Sequence, residues 1–551
     1  MDNKLVSLKN ICLSPLFVGI IFFLSLQLQL FNLDIGFRDE GYLLNNAQRI
    51  NNGEMPYVDF FLAITPGTYY IQAFVMKIFG NYIITDRILY ILCVILILIL
   101  SSRLFKFTSY LNYIFLISLG IIYAGKLSFA SYNIEALVFI IISLLLFNKL
   151  ISNDREHKYS FLIGLMNSIV FIFKQSYGGV FFLTLLILIT FFTKRRYLAK
   201  NIFLYLLGGL IVPAIFSLFF YLNGSLYKLV NAIFYSALSV KNDRLPFILT
   251  SLLFIAFFAF VFNFAKKFSL KRIILSVCLF LLFLALYILI SPGRMHYIYG
   301  FYKDTSVYYF LIFLTAPIIL INLFFKSNSK QERYLVIISI EALGLFLASA
   351  FSGRDYATVV VTAPLYIPLF FYALVIICKK FRLPTNNILI TLLLALFIFP
   401  SISYLAKTYG KLYGIGYDKE IYVNLNIKQA KYINIPISQK NDLEPLIDYV
   451  KKVSLNNGKL LCFPYCPLLN FLTDRDNASY FNFFYKFRPG DQNKVIVDIG
   501  NNKNIIILIQ KMGEIEKEAN YEDEKLSVLK TFIQTNYKPT KTTQNFYIYK
   551  N

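Results

Sequence analysis

The sequence predicts an α-helical polytopic membrane protein of about thirteen transmembrane helices, followed by an α/β domain. Hydrophobic residues make up 58% of the 551 residues and charged residues only 15%, whereas soluble domains hold about 45–50% and about 25%. Apolar runs of spanning length recur up to residue 405, and the chain then becomes polar. We therefore divide it into a multi-span domain, 1–406, and a C-terminal α/β domain, 407–551.

An apolar run of roughly twenty residues crosses the hydrocarbon core of a membrane. The runs lie at 11–31, 83–101, 111–125, 133–150, 159–174, 179–193, 201–221, 246–265, 272–291, 306–325, 334–350, 358–378 and 387–405. The first run is longer than the apolar region of a signal peptide, and no small-x-small cleavage site follows it. We therefore expect it to be retained as the first span.

The loops between the runs alternate in charge. Lysine and arginine collect in every second loop, as at 194–200 and 266–272, and are sparse in the others. Because this excess marks the cytoplasmic side, we expect the N-terminus inside, and residues 32–82 and 407–551 outside. This topology, with contacts to anionic membrane lipids, explains the net charge of +24 without a nucleic-acid partner. The low cysteine count and the short, helix-rich chain favour a bacterial inner membrane.

The scarcity of histidine and cysteine bears on metal binding and on redox state. Two histidines and six scattered cysteines give no His- or Cys-based metal centre. We expect no cofactor, with a divalent ion held by Asp39 and Glu40 as the alternative. The spacing of Cys462 and Cys466 leaves a disulfide open but favours two free thiols.

The C-terminal residues carry an alternation of strand and helix patterns. Short β-type runs lie at 459–465, 494–499, 504–510 and 545–549. A helical pattern covers 442–454, with Asp442 as its N-cap. Strands that alternate with helices predict a small α/β domain.

Residues 32–82, here called the first long loop, contain more than a linker between two spans needs. A helical pattern covers 42–50 and is broken by Gly53 and Pro56. The acidic residues before and after it are Asp39, Glu40, Glu54 and Asp59. Because long ordered loops are usually functional, we expect this loop to hold Asp39 over a cavity.

Three charged residues of this region have a purely structural interpretation. Asp39 could be the N-cap of a helix that begins at Gly41, since Asp is a preferred N-cap residue. Arg49 and Arg87 are expected to be interfacial anchors.

Isolated cations lie at the same ends of the predicted spans as this loop. They are Lys126, Lys174, Arg294 and Arg354, and several of them stand beside glycine. A phosphate binds lysine and arginine donors, and a hydroxyl nucleophile needs a carboxylate base. Together with Asp39, these cations predict a site for an anionic lipid headgroup.

The first long loop also resembles a known family. Its pieces are Asp39-Glu40-Gly41-Tyr42, Gly53-x-x-Pro56-Tyr57-x-Asp59-Phe60, Pro66-Gly67-x-Tyr69-Tyr70, Phe79-Gly80 and Arg87. In order and spacing they are similar to the first extracytoplasmic loop of the polytopic GT-C glycosyltransferases, in the branch of the protein O-mannosyltransferases and the lipid A aminoarabinose transferase. Tyr132-Asn133 and Lys174-Gln175-x-x-Gly178 are similar to weaker family positions.

The resemblance implies an inverting sugar transfer from a polyprenyl-phosphate donor to a hydroxyl of a lipid-linked glycan, lipid or protein. Asp39 would be the base, and Glu40 would assist in orientation or proton handling. Lys126, Lys174, Arg294 and Arg354 are the candidates for the donor phosphate, while Tyr57 and Asp59 would brace the loop or contact sugar hydroxyls. Since a lipid phosphate leaves without protonation, cations replace the catalytic acid.

Three other functions remain open at this stage. A flippase or exporter of lipid-linked oligosaccharides predicts charged residues through the middle of the membrane. An O-antigen polymerase or ligase uses a diphosphate donor and large late loops. A non-catalytic assembly subunit would act through residues 407–551 and would tolerate the loss of Asp39.

Overall fold

The computed structural model describes residues 14–238, 316–352, 362–380 and 402–550. Short gaps within these ranges fall at 63, 106, 108, 125–128, 154–155, 322, 326, 328, 403–404, 417, 454–457, 483–489, 503 and 512–519. The predicted spans at 246–265 and 272–291 lie outside the described residues, and so does the span at 387–405 except for 402 and 405. The total of about thirteen spans therefore stays a prediction.

The first 380 residues are helical wherever the structure describes them as regular elements. The helices are α1 (Pro15–Leu30), α2 (Asp39–Asn51), α3 (Gly67–Phe79), α4 (Ile83–Leu104), α5 (Ser109–Ala124), α6 (Tyr132–Ser152), α7 (Lys158–Phe173), α8 (Gln175–Phe192), α9 (Arg195–Leu222), α10 (Leu226–Leu238), α11 (Lys330–Ser352) and α12 (Ala363–Lys380). Among them α4, α6, α8 and α9 are long and apolar enough to cross a membrane. Helices α1, α5, α7 and most of α12 are shorter apolar helices.

The helices differ in how much of their apolar surface the protein itself covers. In α6, 61% of the apolar window is buried, whereas only 17% is buried in α9. Large apolar side chains of α9, such as Phe203, Leu210 and Ile215, remain exposed. Helix α6 is therefore central, and α9 offers its apolar surface to lipid, where a helix satisfies its own backbone hydrogen bonds.

The C-terminal unit, residues 418–550, is a four-stranded sheet with helices on both faces. Its elements are β1 (Tyr422–Asn424), β2 (Asn434–Pro436), α13 (Ile437–Val453), β3 (Lys459–Phe463), α14 (Leu468–Thr473), α15 (Asp491–Gly500), β4 (Ile505–Gln510), α16 (Asn520–Asn536), β5 (Lys538–Thr542) and β6 (Phe546–Lys550). The sheet order is β3-β4-β6-β5, with β3 parallel to β4 and β6 antiparallel to both of its neighbours. Strands β1 and β2 form a separate antiparallel pair.

Alternate residues of the central strands enter two different cores, as the period of a strand requires. Leu460 and Leu508 pack with α13 and α14 on one face. Leu461 and Ile507 pack with α15 and α16 on the other. Helices on both faces explain why the strands read as continuous apolar runs in the sequence.

Two sequence-based expectations for the C-terminal unit are wrong. The run 494–499 is not a strand but part of α15, in which Val495 and Ile499, one turn apart, face the core. Helix α13 begins at Ile437, so Asp442 lies inside it and is not its N-cap. Instead, its carboxylate accepts hydrogen bonds from the Gln544 backbone amide at 2.8 Å and from Asn545 Nδ2 at 2.9 Å.

Cys462 and Cys466 form a disulfide, which contradicts the expectation of two free thiols. Strand β3 ends at Phe463, and the chain turns back before α14. The turn brings the two α-carbons to 5.4 Å, which is within the range that a disulfide needs. The disulfide closes a short loop that contains Tyr465.

Candidate functional site

The first long loop forms two helices, and the first of them positions Asp39. The predicted helical pattern at 42–50 is confirmed as part of α2. The helix begins at Asp39, so Asp39 lies in its first turn, and the N-cap position belongs to Arg38. The interpretation of Asp39 as the N-cap is therefore wrong. Its side chain is 62% exposed.

Asp39 lines an open pocket of about 280 Å³. The lining comes from the start of α2, from the segment before α6 and from the C-terminal unit, and consists of Gly36, Phe37, Arg38, Asp39, Glu40, Phe129, Tyr465 and Gln510. The Arg38 guanidinium lies 3.5 Å from the Asp39 carboxylate and 5.8 Å from the centre of the Tyr465 ring. A carboxylate, a cation and aromatic walls thus share one cavity.

Glu40 points away from solvent and pairs with Arg87, both being almost fully buried. Arg87 Nε donates to Glu40 Oε1 at 2.7 Å, and Nη2 donates to Oε2 at 3.0 Å. The same carboxylate accepts the Gly36 amide at 2.8 Å. Arg87 is therefore not an interfacial anchor. It forms a bidentate ion pair with Glu40, and this pair holds the start of α2 in place.

Arg87 also fixes the chain that enters the loop. Its guanidinium donates to the backbone carbonyls of Phe31, Leu33 and Asp34 at 2.8–2.9 Å. One side chain thus joins the end of α1 to the start of α2 and α4. This arrangement holds the backbone of Asp39 in place while leaving its carboxylate exposed.

Arg49 is likewise buried rather than an interfacial anchor. It pairs with Glu54 at 2.6 Å and lies over the Phe60 ring at 4.6 Å. Burial lowers the pKa of the Arg49 guanidinium, and the Glu54 carboxylate opposes that shift. The two residues close the turn that follows α2.

Tyr57 and Asp59 brace the same turn. Tyr57 is buried, has a φ of 66° and donates its hydroxyl to the Ile64 carbonyl at 2.7 Å. Asp59 accepts the Met55 amide at 2.7 Å. Both residues therefore make contacts within the loop, as expected if they brace it; the alternative role was to contact sugar hydroxyls.

Lys174 is buried at the junction of α7 and α8. Its Nζ donates to Asn133 Oδ1 at 2.5 Å and lies 3.8 Å from the centre of the Tyr177 ring. Thr65, at the end of the first long loop, reaches Gln175 through its backbone amide at 3.1 Å. The scattered motif positions therefore meet in space, and Lys174 does not belong to the pocket lining around Asp39.

The other predicted phosphate ligands, Lys126, Arg294 and Arg354, lie outside the described residues. Among the pocket-lining residues, the cation is Arg38, which sequence reasoning did not select as a phosphate ligand. The signal was its position directly before Asp39 and directly after Gly36-Phe37.

The C-terminal unit is seated directly on the first long loop. Gln48 donates to Asp474 at 2.6 Å, and the Asn482 amide donates to both Asn45 and Asn46 at 2.8 Å. The backbones come close where Gly41 faces Leu468, since a β-carbon on Gly41 would lie 2.5 Å from the Leu468 nitrogen. Sequence reasoning missed these contacts, which join positions more than four hundred residues apart.

Tyr480 adds a further link between the two parts. Its hydroxyl donates to the Tyr57 carbonyl at 3.1 Å, and its own carbonyl accepts the Phe61 amide at 3.0 Å. Burial raises the pKa of the Tyr480 hydroxyl to about 12.

No protein-family model matches the chain, and no curated protein matches it. Among solved structures, the Archaeoglobus fulgidus oligosaccharyltransferase in complex with Zn and sulfate is similar, with a TM-score of 0.49 and 14% identity over 97% of this chain and 73% of that one. ArnT from Cupriavidus metallidurans, bound to undecaprenyl phosphate, gives 0.45 and 10% over 97% and 96%. TM-scores under 0.5 carry no argument about function.

Proposed function

We propose that the protein is an inverting glycosyltransferase that moves a sugar from a polyprenyl-phosphate donor to a hydroxyl of a lipid-linked glycan, lipid or protein. The observation that carries the proposal is the exposure of Asp39 in a pocket beside Arg38, over a buried ion pair that fixes its backbone. A surface carboxylate does not need a buried ion pair to hold its backbone. A catalytic base does, because it must be positioned against one acceptor hydroxyl.

In this reaction Asp39 accepts the proton of the acceptor hydroxyl as its oxygen attacks the anomeric carbon. The bond between that carbon and the phosphate oxygen breaks, and the lipid phosphate leaves with the bonding electrons. Its negative charge is stabilised by Arg38, a cation that needs no proton transfer. Attack on the face opposite the leaving phosphate inverts the anomeric centre.

The other residues that line the pocket are suited to binding the sugar. Phe37, Phe129 and Tyr465 offer aromatic surface for the apolar face of a sugar ring, while Gln510 offers an amide for its hydroxyls. Glu40 would act as a positioning residue through Arg87 and not as a second base. The pocket lies between the first long loop and the C-terminal unit, and an amphipathic lipid phosphate would place its headgroup there.

The deciding experiment is sugar transfer by the full chain in membranes supplied with polyprenyl-phosphate sugars. Asp39→Asn keeps the shape of the side chain and removes the base, so we expect transfer to fall about a hundredfold or more. Asp448→Asn, which changes an exposed carboxylate of α13 far along the chain, should transfer at the wild-type rate.

Two results would count against the proposal. A fully active Asp39→Asn protein would show that Asp39 is not the base. A wild-type protein that transfers none of the donors but moves lipid-linked oligosaccharides across vesicle membranes would favour the flippase function instead.

A further inference from the structure

Two buried carboxylates take no part in the proposed reaction: Asp86, which lies near Glu40 and Arg87, and Glu135, which lies near Asp86. Asp86 is in the first turn of α4, and Glu135 is in the first turn of α6. Their residues are only 2% and 3% exposed. Neither of them has an ion-pair partner within the described part of the chain. Two uncompensated charges at such depth would cost several kcal/mol each.

Helix α3 brings the two carboxylates to one place. Gln72 Nε2 donates to Asp86 Oδ1 at 3.0 Å, and Thr68 Oγ1 donates to Glu135 Oε2. Thr68 and Gln72 are four residues apart on α3, so their side chains are neighbours, with β-carbons about 6 Å apart. Asp86 and Glu135 therefore flank the same face of α3.

Four further oxygens, on the two carboxylates, on Gln72 and on Ser131, which follows Ala130, form no hydrogen bond of standard geometry among the residues that the structure describes, although the Ala130 backbone amide lies near the Asp86 carboxyl group. They are Asp86 Oδ2, Glu135 Oε1, Gln72 Oε1 and Ser131 Oγ, all of them buried. Gln72 is an independent indication, because it carries no charge, is only 1% exposed and donates its own amide hydrogens to Asp86 and to the Ala130 carbonyl. A buried acceptor without a donor costs about 1–3 kcal/mol, and here several such acceptors occur together.

We propose that this cluster, formed by Gln72, Asp86, Ser131 and Glu135, binds a divalent cation of the calcium class. The donors are all oxygen, which suits Ca²⁺ or Mg²⁺ and not the nitrogen- and sulfur-preferring Zn²⁺. Carboxylates, an amide and a hydroxyl on three different elements match the flexible coordination of Ca²⁺ better than the strict octahedron of Mg²⁺. The two negative charges of Asp86 and Glu135 are balanced by one divalent ion.

The cluster differs from the pair Asp39 and Glu40, which the sequence offered as an alternative metal site. Both oxygens of Glu40 already accept hydrogen bonds from Arg87 and Gly36, whereas Asp86 and Glu135 each keep one oxygen without such a bond among the described residues. The cation bound at the cluster joins α3, α4 and α6 and sits one residue from Arg87. It would therefore stabilise the helices that hold the Glu40–Arg87 pair, without touching the substrate. Its binding does not depend on the proposed function.

Ion binding is tested on the purified full chain in detergent, without any sugar substrate. After treatment with a chelator, the melting temperature is measured in Na⁺, Mg²⁺ and Ca²⁺, and Tb³⁺ luminescence is used to titrate the site directly. We expect Ca²⁺ to raise the melting temperature and Tb³⁺ to bind with a stoichiometry of one. Glu135→Gln and Gln72→Leu should each weaken Tb³⁺ binding at least about tenfold.

Glu341→Gln is the matched control. Glu341 is also buried within a helix, also accepts a hydrogen bond from a threonine, Thr184, and also has one oxygen without a donor among the described residues. Within the described part of the chain, no second carboxylate acts on Glu341, so its replacement should leave the Ca²⁺ response and Tb³⁺ binding unchanged.

Two results would overturn the proposal. The first is a wild-type protein whose melting temperature responds to none of the ions and which does not bind Tb³⁺, as expected if the carboxyl groups simply hold protons. The second is an ion response that persists in both Glu135→Gln and Gln72→Leu, because the ion would then lie elsewhere.

Discussion

At the scale of single residues, the Glu40–Arg87 pair stabilises the fold through its two charges and also through the backbone contacts of Arg87. Replacing one partner of a buried pair costs about 3–5 kcal/mol, because the other charge is left without compensation. Arg87 additionally serves three backbone carbonyls. We therefore expect Arg87→Met to lower the melting temperature of the purified protein more than Glu40→Gln does.

The double variant Glu40→Leu/Arg87→Met separates the charge effect from the backbone contacts. It removes both charges, so it should be more stable than Arg87→Met alone while remaining below the wild type. Equal melting temperatures for Arg87→Met and the wild type would show that the pair does not hold the loop.

Arg38 is the residue on which the donor chemistry is most directly tested. If its guanidinium stabilises the leaving phosphate, Arg38→Gln should lower the rate of sugar transfer about a hundredfold, as for the loss of one preorganised donor. Arg38→Lys keeps the charge and should retain part of the activity. The control is Lys452→Gln, which changes an exposed cation of α13 and should leave transfer unaffected. An active Arg38→Gln protein would assign the phosphate to other cations.

The sequence predicts the position of Asp39 at an open cavity but not the residues that complete the site. Asp39 and Glu40 are adjacent in the chain, yet one is exposed and the other buried, because consecutive helical residues point in directions about 100° apart. Which of the two faces solvent depends on Arg87, a residue on another helix. Such a pairing is decided by the tertiary fold and has no local signal.

At the scale of elements, the crossing of α7 and α9 depends on glycine. A β-carbon on Gly164 would lie 2.1 Å from the Tyr205 carbonyl oxygen, and one on Gly208 would lie 2.1 Å from the Phe161 carbonyl oxygen. Small residues at such a crossing let two backbones approach within the membrane. Since the obstacle on both sides is backbone, no side-chain rotation can relieve it.

We therefore expect Gly164→Ala and Gly208→Ala each to destabilise the protein by about 1–3 kcal/mol through overpacking. Gly179→Ala in α8 is the control, because a β-carbon there meets nothing within 4 Å and alanine favours a helix by up to about 1 kcal/mol. Thermal unfolding in detergent measures all three. A lower melting temperature for Gly179→Ala than for Gly208→Ala would contradict this account of the crossing.

The sequence predicts three of the four strand runs correctly, at β3, β4 and β6, and the fourth, 494–499, wrongly. In a membrane, an apolar run of spanning length has one way to satisfy its backbone hydrogen bonds, which is the helix. In the C-terminal unit, a short apolar run is compatible with a buried strand and with a buried helix. The segment 494–499 is rich in β-branched residues, but Val495 and Ile499 are both buried in α15, so the helical period is the one that the core uses.

At the scale of the whole molecule, the pocket exists only where two distant parts of the chain meet. Residues 36–40 form one side of it, and Tyr465 and Gln510 of the C-terminal unit form the other. The amide contacts of Asn482 and the close approach of Gly41 to Leu468 fix the distance between them. A change at this junction should therefore alter the site even where Asp39 and Arg38 are intact.

Gly41→Ala tests this dependence. The added β-carbon would lie 2.5–2.7 Å from the nitrogen and α-carbon of Leu468, and backbone atoms of α14 can give way only if the C-terminal unit shifts. We expect a loss of about 1–3 kcal/mol in stability and a fall in sugar transfer larger than this loss explains at a temperature where the protein is folded. Limited proteolysis should also cut the C-terminal unit more readily.

The control for Gly41→Ala is Gly500→Ala at the end of α15, where a β-carbon meets nothing within 4 Å. It should leave stability, proteolysis and transfer at wild-type values. If Gly41→Ala is destabilised but transfers sugar at the wild-type rate while folded, Tyr465 and Gln510 do not take part in the reaction. The catalytic site would then be confined to the first long loop and the spanning helices, and the C-terminal unit would serve another purpose.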